Sequence, residues 1–138
     1  MSFSRSKSAS LIGALAISGL LLTGCAGGQS KADACKVLEK GLTNVQDDLS
    51  SSLSNASTDP EGASKSLQAV ADTFSDNVSK VTNDEVTPAA EDANGALTAL
   101  VDEFAKYASD PTGADVDALT AASTDVQTTF TELGKVCS

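Results

Sequence analysis

Residues 59–81 read DPEGASKSLQAVADTFSDNVSKV. Ala63, Leu67, Val70, Phe74, Val78 and Val81 recur there at steps of three and four. On a 3.6-residue turn those positions fall on one face, so the stretch reads as an amphipathic helix. The strict apolar–polar alternation of a half-buried strand is absent. Asp59 stands before Pro60, which sets a capping side chain ahead of a proline at the first helical position, where its missing N–H is no loss.

The same spacing continues on both sides. Upstream run Cys35, Leu38, Leu42, Val45, Leu49, Leu53 and Ala56; downstream run Val86, Ala90, Ala93, Leu97, Leu100, Phe104 and Tyr107. A fourth stripe follows with Val116, Leu119, Ala122, Val126, Phe130, Leu133 and Cys137. Ser30-Lys31-Ala32-Asp33 resembles a capping box for the first helix. Thr87-Pro88 allows a start for the third, or a start one turn earlier near Asn83. Asp110-Pro111-Thr112-Gly113 breaks the pattern before the fourth, with Asp115 as its cap. Four helices on short connections predict an all-α, up-down-up-down four-helix bundle over residues 32–138.

Ahead of this domain the chain changes character. Arg5 and Lys7 precede an apolar run from Leu11 to Leu22. The order is that of an export signal, and the run is too short to span a bilayer, which takes roughly 20 apolar residues. Leu22-Thr23-Gly24-Cys25 follows at once, and it resembles the lipobox of bacterial lipoproteins. That resemblance implies diacylglycerol transfer to the Cys25 thiol and cleavage between Gly24 and Cys25. Residues 1–24 are then a signal peptide and 25–31 a short lipidated tether.

Loss of residues 1–24 removes Arg5 and Lys7 but none of the 19 acidic residues, so the net charge goes from −10 to −12. Such a surface repels nucleic-acid phosphates and anionic lipid head groups alike, and nucleic-acid binding is excluded. With Cys25 acylated, two thiols of three are left, Cys35 and Cys137, in an exported setting. In an up-down bundle the first helix starts and the last ends at one pole, so both thiols are expected on the inward face there, joined as a disulfide. A reactive redox pair normally sits closer in sequence, as in Cys-x-x-Cys.

Candidates for chemistry are few. The chain has no histidine, and Met1 is its one methionine. Imidazole-based triads, histidine metal sites and thioether ligation go with them, so no catalytic residue, metal ligand or cofactor is assigned. Acidic pairs occur at Asp47-Asp48, Asp84-Glu85, Glu91-Asp92 and Asp102-Glu103. Neighbouring residues on a helix point about 100° apart, so a solvated face accounts for them better than a carboxylate site. Asp110, Asp115 and Asp117 cluster around Gly113 but lack the spacing and terminal glutamate of a calcium loop. Phe104 and Tyr107 lie at helical spacing and read as core before ligand pocket.

Lipobox, tether, four Ala-, Thr- and Asp-rich helices and a cysteine near each end of the domain together resemble small lipoproteins of high-GC Gram-positive bacteria. That family lends no catalytic residues. Secreted WXG-type hairpins are a poorer likeness, for there is no tryptophan. The expected function is a non-enzymatic cell-envelope interaction module, held by lipid on the extracytoplasmic face of the cell membrane. Its partners would be the membrane and an envelope protein. The alternative is a lipoprotein that binds a small ligand or cation within the bundle.

Overall fold

The computed structural model describes residues 28–55 and 58–138, and between 44 and 55 the backbone alone. Four helices make up the described residues, with no strand among them: α1 (Lys31–Asn55), α2 (Pro60–Val78), α3 (Thr87–Ser109) and α4 (Val116–Val136). The all-α helical bundle is as the periodicity predicts.

Each start has its local cause. Ser30 Oγ accepts from Asp33 N at 3.1 Å and donates to the Asp33 carboxylate at 2.7 Å, closing the capping box of α1. The Asp59 carboxylate accepts from Gly62 N at 2.9 Å, with Pro60 at the first helical position. Asp115 accepts from Asp117 N and Ala118 N, each at 3.0 Å. The third helix differs: it starts at Thr87, not near Asn83. Its capping residue, Val86, offers no side-chain acceptor. Instead Asn83 Oδ1 accepts from Glu85 N and Val86 N, and Thr87 Oγ1 donates to Asn83 O. Asn83 thus holds a tight turn that aims the helix but does not belong to it.

Neighbours in sequence are neighbours in space: α1 packs on α2, α2 on α3 and α3 on α4. Two observations fix the up-down course. Gly41 of α1 lies against Asn77 near the end of α2, and Cys35 near the start of α1 meets Cys137 after α4. The pole holding the start of α1, the α2–α3 connection and the end of α4 is called the near pole. The other, with Asp59 and the α3–α4 connection, is the far pole. No comparable packing joins α1 to α4 along their lengths among the described residues.

That open seam explains which parts of the predicted stripes are buried. The two middle helices have a neighbour on each flank. All six predicted positions from Ala63 to Val81 are buried, together with Ala71, and so are Val86, Ala90, Ala93 and Leu97. The core continues through Val101, where the stripe predicted Leu100; Leu100 is half-buried. With one packed flank, α4 buries only Ala122 and Leu133. Leu119, Val126 and Phe130 are half-buried, and Val116 is 59% exposed. Among the described side chains of α1 the buried residues are Ala34, Leu38 and Gly41, with Leu42 half-buried. The stripe positions Val45, Leu49, Leu53 and Ala56 lie outside the described side chains.

Candidate functional site

The lipobox residues Leu22, Thr23, Gly24 and Cys25, and the signal segment before them, lie outside the described residues. No helix among the described residues is long and apolar enough to cross a membrane.

The predicted cysteine pair is joined, with Sγ atoms 2.06 Å apart and Cα atoms 5.6 Å apart across 102 residues of sequence. Its setting departs from the expectation in one respect. Cys35 is half-buried and packs on the core, whereas Cys137 is exposed, not inward-facing. Cys137 follows the last residue of α4, on the flank that no helix covers, so the bond sits at the rim of the near pole.

Just beside it the chain entry is fixed by a residue for which the spacing gave no sign. Gln29 Nε2 donates to Lys80 O at 3.2 Å, and Gln29 Oε1 accepts from Thr82 N at 2.8 Å. Asn83 Nδ2 donates to Gln29 O at 3.0 Å. An ion pair between Lys31 and Glu85, at 3.8 Å, bridges the same two segments. Gln29, within the stretch expected as tether (residues 25–31), is thus bound to the α2–α3 connection.

The acidic candidates are dispersed. Asp84, Glu85, Glu91, Asp92 and Asp102 are exposed; Glu85 pairs with Lys31, and Glu103 accepts from Lys106 Nζ at 2.6 Å. That hydrogen bond, reinforced by the carboxylate charge, raises the Lys106 ammonium above its ordinary value. The side chains of Asp47 and Asp48 are not described. At the far pole a groove of about 430 Å³ opens between the end of α3 and the start of α4, lined by Glu103, Lys106, Asp110 and Asp115 among others. Both aspartates there are occupied by backbone. Asp115 caps α4, and Asp110 Oδ1 accepts from Thr112 Oγ1, Gly113 N and Thr112 N. Those bonds, the threonine hydroxyl foremost, hold the Asp110 carboxyl below its ordinary range. No group of three or more potential metal ligands occurs among the described residues.

Phe104 and Tyr107 are both half-buried, with ring centroids 6.1 Å apart, and Phe104 packs against the core. Among the described residues one buried polar atom, Asn94 Oδ1 on α3, has no hydrogen-bond partner. No protein-family model, curated protein or solved structure matches this chain.

Proposed function

We propose that the chain is an exported lipoprotein whose helical domain is a non-enzymatic interaction module on the extracytoplasmic face of the cell membrane. The observation that carries this reading is Leu22-Thr23-Gly24-Cys25 directly after an apolar run with Arg5 and Lys7 before it. Support for binding rather than catalysis comes from the functional groups themselves. Histidine is absent, and the two aspartates that line the α3–α4 groove, Asp110 and Asp115, each commit Oδ1 to backbone N–H groups. A group held that way is poorly placed to move a proton in a reaction.

The test is in-cell crosslinking of the full-length protein beside a Cys25→Ser version. The expected result is a mature N-terminus at Cys25 carrying diacylglycerol by mass, membrane fractionation, and one dominant crosslinked protein lost in the Cys25→Ser control. Identical fractionation of the two versions would end the lipoprotein reading. The alternative is a small-ligand or cation site, for which the α3–α4 groove is one location among the described residues. Calorimetry with millimolar Ca²⁺ on the purified domain tests it, and absence of both heat and a melting shift removes it.

A further inference from the structure

Gln29 is tied to the α2–α3 connection by three hydrogen bonds across more than 50 residues of sequence. Whatever holds Cys25 therefore holds that connection as well. Only Ala26, Gly27 and Gly28 intervene, and an extended chain spans at most about 14 Å from Cys25 to Gln29. A lipid on Cys25 would keep the near pole within about 14 Å of the head groups. The far pole is another matter, since α2 alone has 19 residues and so carries the chain about 28 Å along its axis.

The charges divide the same way. Five of the seven lysines that follow Cys25 lie in the half of the bundle nearer Gln29: Lys31, Lys36, Lys40, Lys80 and Lys135, all exposed. The near half sets those five lysines against nine carboxylates, and the far half sets Lys65 and Lys106 against ten, so the difference lies in the lysines. Electrostatic repulsion from anionic head groups acts within about one Debye length, roughly 8 Å at physiological ionic strength. An end-on posture keeps the more acidic half outside that range. A bundle lying on its side would bring that half in.

We propose that the near pole, made of Gln29, the α2–α3 connection and the rim around Cys137, is the surface that rests on lipid, so that the bundle stands end-on and presents its acidic far pole outward. This inference rests on the acylation of Cys25 proposed above.

The chain contains no tryptophan, so single reporters can be placed without background. Thr82→Trp and Ser138→Trp mark the near pole, and Val116→Trp marks the far pole at a site already 59% exposed. Each full-length, acylated variant is reconstituted into phosphatidylcholine–phosphatidylglycerol vesicles that carry a nitroxide on the lipid head group. The expected result is several-fold stronger quenching at 82 and 138 than at 116. Equal quenching at all three, or none at any of them in acylated, vesicle-bound protein, overturns the end-on posture while leaving the anchor intact. A Cys25→Ser, Thr82→Trp chain is expected to stay off the vesicles. Binding of that chain as tight as the acylated form would instead overturn the anchor and the inference with it.

Discussion

The ring of Phe74 in α2 meets that of Phe130 in α4 with centroids 5.1 Å apart and planes tilted by 34°. This contact crosses the bundle between helices that are not sequence neighbours, and it lies in the half where α4 reaches the core. Phe74 is fully buried, whereas Phe130 keeps part of its surface in water. Phe74→Ala is expected to cost about 3 to 5 kcal/mol, the range for truncating a buried phenylalanine. Phe130→Ala should cost less, and the pair should couple by about 0.5 to 1.5 kcal/mol in a double-mutant cycle. Denaturant unfolding of the two single variants and the double variant measures all three. Strictly additive losses would mean that the rings do not support each other.

The disulfide matters for a related reason. The flank where α1 and α4 come together has no packed helix–helix interface among the described residues, so Cys35–Cys137 is the covalent closure of the bundle. A loop of 102 residues closed in the unfolded chain is worth about 4 to 5 kcal/mol in the chain-entropy account. For a domain of this size that is a large share of total stability. Cys35→Ser with Cys137→Ser, or reduction by a dithiol, should lower the melting temperature sharply while leaving α2 and α3 packed on each other. Non-reducing mass analysis comes first: two titratable thiols in the native domain would remove the basis of this prediction.

Asp110 gives a prediction about pH. The Thr112 hydroxyl and the amides of Gly113 and Thr112 favour its ionised form, so its folded-state value lies below the ordinary aspartate value. A carboxyl depressed in this way stabilises the fold above its unfolded value of about 3.9. That contribution fades as the pH drops through the lower folded value. Carboxyl NMR should show Asp110 titrating below the ordinary range, and Thr112→Val, which deletes the largest cause, should shift it back upward. The stability difference between wild type and Asp110→Ala should narrow as pH falls below 4. An Asp110 that titrates at its ordinary value would show that the turn does not hold its carboxylate in solution.

How far the sequence could be read follows from the range of the interactions involved. Helix periodicity and the caps at Asp59 and Asp115 are local, and the stripe from Ala63 to Val81 is buried as spaced. The pairing of Cys35 with Cys137 was also legible, because an up-down course places the first start beside the last end. Exposure of Cys137 and the shallow burial of α4 were not. They depend on whether α1 closes against α4, and equal stripes on all four helices carry no sign of an open flank. Val101 replaces Leu100 in the core for a like reason, since the rotation of α3 is set by its two neighbours. Gln29 is the clearest omission. A glutamine in a glycine-containing stretch looks like tether, and its partners at Lys80, Thr82 and Asn83 are too distant in sequence for any periodic pattern to signal.

Two helical glycines should answer alanine substitution in opposite ways. Glycine within a helix costs roughly 1 kcal/mol relative to alanine, so replacement helps where there is space. Gly95 on α3 is exposed, and a Cβ built there meets nothing within 4 Å. Gly95→Ala is expected to stabilise by about 0.5 to 1 kcal/mol. Gly41 is buried where α1 crosses α2, and a Cβ there would stand 2.6 Å from Asn77 Nδ2 and 3.1 Å from Asn77 Cγ. Asn77 is committed to its place, since Nδ2 donates to Thr73 O at 2.9 Å. Gly41→Ala must displace that amide and is expected to be neutral or destabilising by about 1 kcal/mol, the worth of one hydrogen bond. In an Asn77→Ala background the nearest atom left is the residue-77 Cβ at 3.4 Å, an ordinary contact. Gly41→Ala should then stabilise much as Gly95→Ala does. Chemical denaturation of the four variants decides the matter, and a Gly41→Ala gain as large as that of Gly95→Ala in the wild-type background would show that α1 and α2 stand farther apart in solution.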